Sequence, residues 1–245
     1  YVSKIHPLPL LNSNNDDRSH GPDFFRAFDD IPCDKIFVPH HLSHAASSFW
    51  GSGYTDALCL VYDGGMSNES WFGGVYQASI TDGITPFDQF SALHCANITY
   101  LYTAVTAVLG FTPLKHEGKI TGLAAYGKPK KACRAIFEQW LTKPELISGL
   151  LRWDAMYDKH IAPSLMVNPT FRDALKNSVA QFSREDMAAT VQEMAELHVL
   201  DILENIQQQG LSSKNICLSG GLFANVKINQ RVSRFGFENI FIAPP

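Results

Sequence analysis

A chain of 245 residues with 45% apolar and 18% charged side chains is ordinary for a globular protein and long enough for one large domain or two lobes. Its formal net charge of −4 gives no electrostatic footprint for nucleic acid or an acidic membrane, and no apolar run approaches the ~18 residues of a membrane span. The five cysteines (33, 59, 95, 133 and 217) are scattered, odd in number and without C-x-x-C pairs, which reads as a reduced, cytoplasmic protein with no disulfide frame.

The chain opens at Tyr1 with no signal-peptide pattern and stops at Pro245 just after a strand-like run, so both ends read as cuts in a longer polypeptide. The polar stretch Asn12 to Ser19 cannot order itself by burial and reads as a surface loop or arm. Lys35-Ile36-Phe37-Val38 then reads as a short strand feeding a helix. Pro39 and the small residues Ala45, Ala46, Ser47 and Ser48 predict that this helix begins at His40-His41. Positions 40 and 44 lie four apart and share one face, and a helix N-terminus disfavours imidazolium, which keeps lone pairs available. Gly51-Ser52-Gly53 predicts the break of the helix and a seam between two lobes.

Residues 57–62 read as a strand that ends at Asp63 and runs into Gly64-Gly65, so the carboxylate projects into a loop mouth. Two histidines and one carboxylate with open positions suit Fe(II), and less specifically Zn or Mn. An H-x-x-x-H spacing is equally met by capping or internally bonded histidines. Residues 71–79 and 84–92 read as further strands, with Thr81-Asp82-Gly83 as the turn between them. A helix over about 97–109 carries Ile98, Leu101, Tyr102, Val105 and Leu109 on one stripe, closed by Gly110.

Residues 116–127 form a glycine-punctuated turn into a short helix, followed by a helix over 130–141. Residues 142–182, with Pro144, Pro163 and Pro169, read as an irregular inserted subdomain. A long helix over about 184–209 is capped by Ser183, with Ala189, Met194, Leu197, Leu200 and Leu203 as its candidate buried face. Ile216-Cys217-Leu218 is a strand, Ser219-Gly220-Gly221 leads into a helix carrying Asn225 and Asn229, and a final strand lies at 239–242. This order makes an α/β domain with a mixed sheet. A strand entering a helix through Gly-Gly serves either a nucleotide or tight helix–sheet packing. Asn225 and Asn229, one turn apart, add two amides, and Lys119 behind Gly118 can meet a phosphate or stay solvated.

HHLSHAASSF (40–49), DALCLVYDG (56–64), the Tyr102/Thr106/LGF helix end (102–111), EGKITGLAAYG (117–127) and SGGLFANVKIN (219–229) together resemble the O-carbamoyltransferases of the nodulation and antibiotic-tailoring type. That family's amino-terminal domain is similar to the threonylcarbamoyl-tRNA transferases. The resemblance implies the actin/sugar-kinase/heat-shock ATPase fold (ribonuclease H-like), with two lobes on five-stranded mixed sheets and nucleotide between them. It implies that residues 1–52 are the remnant of a truncated first lobe with the metal helix, and 53–245 the nucleotide-binding second lobe with its irregular insert. Carried over residue by residue, the iron ligands fall on His40, His44 and Asp63, with Fe(II) or another divalent metal as cofactor. His41 and Lys119 become the candidate catalytic residues, His41 as a supporting or substrate-facing group. Gly64 and Gly65 would line phosphates, and Gly220, Gly221, Asn225 and Asn229 would face adenosine.

The implied reaction moves a carbamoyl group from carbamoyl-adenylate, made from carbamoyl phosphate and ATP, to a hydroxyl of a sugar-like small molecule. The family follows its Asp-Gly with a further Gly-Glu or Gly-Asp, whereas this chain reads Asp-Gly-Gly-Met-Ser-Asn-Glu, which leaves the role of Glu69 open. The resemblance implies that the opening strand, the late Gly-Asp loop with a further metal-ligating aspartate, and the carboxy-terminal domain that makes the activated carbamoyl group fall outside this stretch of sequence. The implied partners are therefore the acceptor, carbamoyl phosphate and that carboxy-terminal domain, with the open first-lobe edge available to a second copy. A catalytically incomplete nucleotide-binding lobe, or an ATPase or sugar kinase of the same fold, are the alternatives.

Overall fold

A computed structural model of the chain describes residues 38–63, 71–91, 97–141 and 169–244. The arm at 1–34, most of the strand at 35–38, Gly64, Gly65 and Glu69, and the first part of the 142–182 insert lie outside the described residues.

The elements in chain order are α1 (His40–Ser52), β1 (Asp56–Tyr62), β2 (Trp71–Ser79), β3 (Gly83–Ser91), α2 (Ile98–Val108), α3 (Glu117–Ala124), α4 (Lys131–Leu141), α5 (Pro169–Ser178), α6 (Arg184–Gln208), β4 (Asn215–Ser219), a 3-10 turn (Gly221–Ala224), α7 (Val226–Val232) and β5 (Asn239–Ile242). The five strands form one mixed sheet in the order β3-β2-β1-β4-β5. β2 runs antiparallel to β1 and β3, while β1 pairs parallel with β4 and β4 parallel with β5.

β1 is central, and from Ala57 to Tyr62 it is buried and apolar because both its faces are covered. Leu58, Leu60 and Tyr62 join Ile216, Leu218 and the helices of one face, among them Val105 of α2, Phe137 of α4 and Val199 of α6. Ala57, Cys59 and Val61 turn the other way onto α1, which buries Leu42, Ala45 and Phe49 against them and Cys217. Phe49 is fully buried, a contact that stabilises by roughly 1.5–3 kcal/mol. The helix bearing the histidines is thus fastened to the same sheet whose central strand ends at Asp63.

Two boundaries differ from the sequence reading. α1 runs through Gly51 and Ser52 and ends only at Gly53, which takes the left-handed conformation at φ 73°. The stretch 169–182 is not irregular: Pro169 opens α5, where its fixed φ suits a first helical turn, and Leu175 and Val179 are fully buried in the main core. On α6 the buried stripe runs through Val191, Ala195, Val199 and Leu203, leaving Leu197 and Leu200 half-buried. Among the described residues no helix is long and apolar enough to cross a membrane.

Candidate functional site

α1 starts at Pro39, whose carbonyl accepts the first helical N–H, from Ser43 at 2.9 Å. His40 and His44 therefore project from one face one turn apart, their rings edge-to-face with centroids 4.6 Å apart. Asp63 follows the last residue of β1 and is fixed by its backbone: its N–H donates to the Phe72 carbonyl at 2.8 Å, and its carbonyl accepts from Thr99 Oγ1 at 3.4 Å. Its Oδ2 lies 2.9 Å from His40 Nε2 and 3.1 Å from His44 Nε2. The other oxygen, Oδ1, accepts the Gly221 N–H at 3.3 Å.

Donor atoms of His40, His44 and Asp63 all lie within 4.8 Å of one another, and each side chain is about a quarter to a third exposed. Bonds of ~2.1 Å to one ion require neighbouring donors about 3–3.5 Å apart, and the two histidine–aspartate separations, 2.9 and 3.1 Å, are close to that. The three residues fit a divalent metal with positions left open for other ligands. Facing an ionised carboxylate, which can only accept, both Nε2 atoms can donate to the one oxygen Oδ2. A metal would need both Nε2 atoms unprotonated, the ring proton of each neutral imidazole sitting on Nδ1, and protons compete with a metal for such ligands.

The sheet brings the glycine turn to the same place. Val61 of β1 is in register with Ser219 of β4, so the next residues of both strands run side by side. Gly220 sits at φ 94°, and a Cβ there would overlap the Tyr62 carbonyl. A cavity of about 380 Å³ opens beside this junction, with Asp63, Tyr100, Glu117, Gly118, Gly221 and Asn225 in its wall. Burial and the nearby Asp63 charge push the Tyr100 phenol up to about 12. Glu117 Oε1 accepts the Leu114 N–H at 2.7 Å, holding the turn in which Leu114 adopts φ 59°.

The other expected site residues are placed as follows. His41 is 3% exposed and lies edge-to-face with His40 at 5.2 Å, inside the packing rather than toward a substrate. Lys119 points away from the cavity, its Nζ 5.6 Å over the Phe111 ring, because α3 turns that position outward. Asn225 is the N-cap of α7 rather than a residue within it, its Oδ1 accepting from the Lys227 and Ile228 N–H groups. Asn229 lies outside the cavity wall and donates Nδ2 to the Phe223 carbonyl at 2.8 Å, so the two amides do not share the cavity. Tyr102, Thr121 and Gln192 form the polar wall behind Asn225; the first two fall in stretches that carry the family resemblance without a role of their own, and Gln192 has no sequence signal beyond its place in a helix.

Residues 27–245 match the family described as the carbamoyltransferase N-terminus. The chain is 31% identical over 219 residues to an uncharacterized protein of Synechocystis sp., covering 85% of this chain and 34% of that protein. It is 32% identical over 210 residues to nodulation protein NolNO of Sinorhizobium fredii, covering 85% of this chain and 28% of that protein. An uncharacterized protein of Methanocaldococcus jannaschii is 30% identical over 222 residues, covering 86% and 35%. The chain spans about a third of the length of the curated relatives it matches.

Proposed function

We propose that this chain, which belongs to the carbamoyltransferase amino-terminal family, carries the acceptor site at which a carbamoyl group passes from carbamoyl-adenylate to a hydroxyl of a sugar-like small molecule. The observation that carries the reading is the convergence of His40, His44 and Asp63 at the rim of a cavity whose wall includes Asp63 itself. One carboxylate belongs to both features, so a metal-held group and a cavity-held group would lie side by side.

His40, His44 and Asp63 would hold Fe(II) or another divalent ion, which supplies Lewis acidity to a carbamoyl oxygen or an acceptor hydroxyl. The rest of the work falls to the chain. The Gly221 N–H fixes one oxygen of Asp63, leaving the other toward the histidines. The backbone at Gly220 and Gly221 lets a nucleotide approach without meeting a side chain, and Asn225 orients it from the cavity wall. The acceptor hydroxyl oxygen attacks the carbamoyl carbon and gives up its proton to solvent, the bond from that carbon to the adenylate phosphate oxygen breaks, and AMP departs with the oxygen from a fixed orientation. The strand order, with β2 alone reversed, supports a ribonuclease H-like lobe of the actin and sugar-kinase kind. In this reading residues 1–52 derive from the first lobe and 53–245 form the second.

The short coverage of the relatives favours a division of labour in which a carboxy-terminal domain makes the carbamoyl-adenylate and this chain alone does not turn over. Transfer of labelled carbamoyl from carbamoyl phosphate, with ATP and a sugar acceptor, tests this in the full-length polypeptide. His44→Ala is expected to abolish both bound metal and transfer while the protein stays folded. Undiminished transfer by that variant would overturn the assignment.

A further inference from the structure

We propose that Gln192 is a positioning residue that clamps the Asn225 carboxamide, so that one Nδ2 hydrogen faces the cavity as a fixed donor to the bound ligand. The proposal rests on reading the cavity as the nucleotide site. Gln192 lies 5% exposed in the middle of α6, 33 residues before Asn225 in the chain. The two carboxamides meet as a closed pair: Asn225 Nδ2 donates to Gln192 Oε1 at 2.9 Å, and Gln192 Nε2 donates back to Asn225 Oδ1 at 3.2 Å.

The neighbours determine which way each amide is turned. Glu196 Oε1, an acceptor only, takes the other Gln192 Nε2 hydrogen at 2.9 Å, and Arg231 Nε holds Glu196 Oε2 at 2.8 Å. Gln192 Oε1 must therefore face Tyr102, whose hydroxyl donates to it at 2.8 Å. Having given its proton, that hydroxyl accepts from Thr121 Oγ1 at 2.9 Å. All four hydrogen-bonding positions of Gln192 are then used.

Asn225 Oδ1 is likewise committed, to the Lys227 and Ile228 N–H groups at 3.1 and 3.3 Å and to Gln192. Asn225, which lines the cavity, has one Nδ2 hydrogen beyond the bond to Gln192, with the Tyr102 hydroxyl beside the same amide. Thr121, also in that wall, has spent its proton on Tyr102 and shows the cavity a lone pair. The wall thus presents a donor beside an acceptor, and neither can be exchanged without breaking the pair. A site whose polar groups are fixed in this way rejects ligand groups of the wrong polarity.

The experiment is a double-mutant cycle on ATP binding to the full chain by calorimetry, with Gln192→Met and Asn225→Asp. Aspartate caps a helix as well as asparagine does, so Asn225→Asp keeps α7 while deleting the donor. Gln192→Met is expected to weaken ATP by about tenfold, the scale of one hydrogen bond. In the Asn225→Asp background the same change should cost less than about twofold. A full tenfold loss in both backgrounds would make Gln192 a merely structural residue and overturn the proposal. Side-chain amide exchange by NMR, read without ligand, gives an independent answer: the Asn225 Nδ2 proton bonded to Gln192 Oε1 should be protected in the wild type and exposed by Gln192→Met. Unchanged exchange would refute the clamp. Absent ATP binding with intact amide protection would instead refute the nucleotide reading.

Discussion

Replacement of Gly220 by alanine tests the junction on which the site is built. Gly220 sits at φ 94° and ψ 162°, a region that residues with a side chain essentially do not enter, at a cost of ~1–3 kcal/mol. An added Cβ would also overlap the Tyr62 carbonyl oxygen and lie 2.7 Å from its carbon, both backbone atoms of β1. Forcing the two strands apart costs about another 1–3 kcal/mol, so the total is on the order of 4 kcal/mol. For a chain of this size the melting temperature should fall by on the order of 10 °C, read by circular dichroism. Gly122 provides the control: it lies in α3 with nothing within 4 Å of a built Cβ, and its alanine variant should be stabilised by ~1 kcal/mol. Because Gly221 N–H is bonded to Asp63, metal affinity should fall with Gly220→Ala as well. A Gly220→Ala protein melting within 2 °C of wild type (about 1 kcal/mol or less) would refute the close approach of β4 to the end of β1.

The Tyr62 hydroxyl accepts the Ile98 N–H at 3.3 Å and lies 3.0 Å from His198 Nε2. Burial holds His198 below its ordinary 6.5, against the opposing pull of Asp201, so the folded state binds fewer protons than the unfolded one. Its contribution should be complete above pH 6.5 and lost as pH falls below that value, and urea denaturation from pH 7.5 to 5 should show a smaller slope in His198→Gln. Ser183 Oγ accepts the Asp186 N–H at 3.1 Å at the start of α6, so Ser183→Ala should cost ~1 kcal/mol by chemical denaturation.

The sequence reading reached the site through features whose geometry is local. A spacing of four placed His40 and His44 on one helical face, and a strand-like run ending in Asp-Gly put Asp63 at a strand end. That β1 ends beneath α1 is a matter of sheet order, which alternating apolar residues do not encode. Glycine pairs marked where chains approach closely, and Gly220 meets Tyr62 there. Side-chain direction was the weak point: Lys119 and Asn229 sit in the expected segments, yet one lies over Phe111 and the other bonds the Phe223 carbonyl. Pro169 counts among the prolines that make 142–182 read as irregular, yet proline also begins helices, as it does for α5. Gln192 was illegible because a buried polar residue in a helix declares itself only through partners distant in sequence, here Tyr102 and Asn225.

The central claim is that His40, His44 and Asp63 form one metal site, and metal titration by calorimetry with elemental analysis tests it most directly. The account predicts saturable binding of one divalent ion per chain, weaker at lower pH and at least about tenfold weaker in both His44→Ala and Asp63→Asn. Binding that both substitutions leave unchanged, or no saturable binding in the wild type, would contradict it.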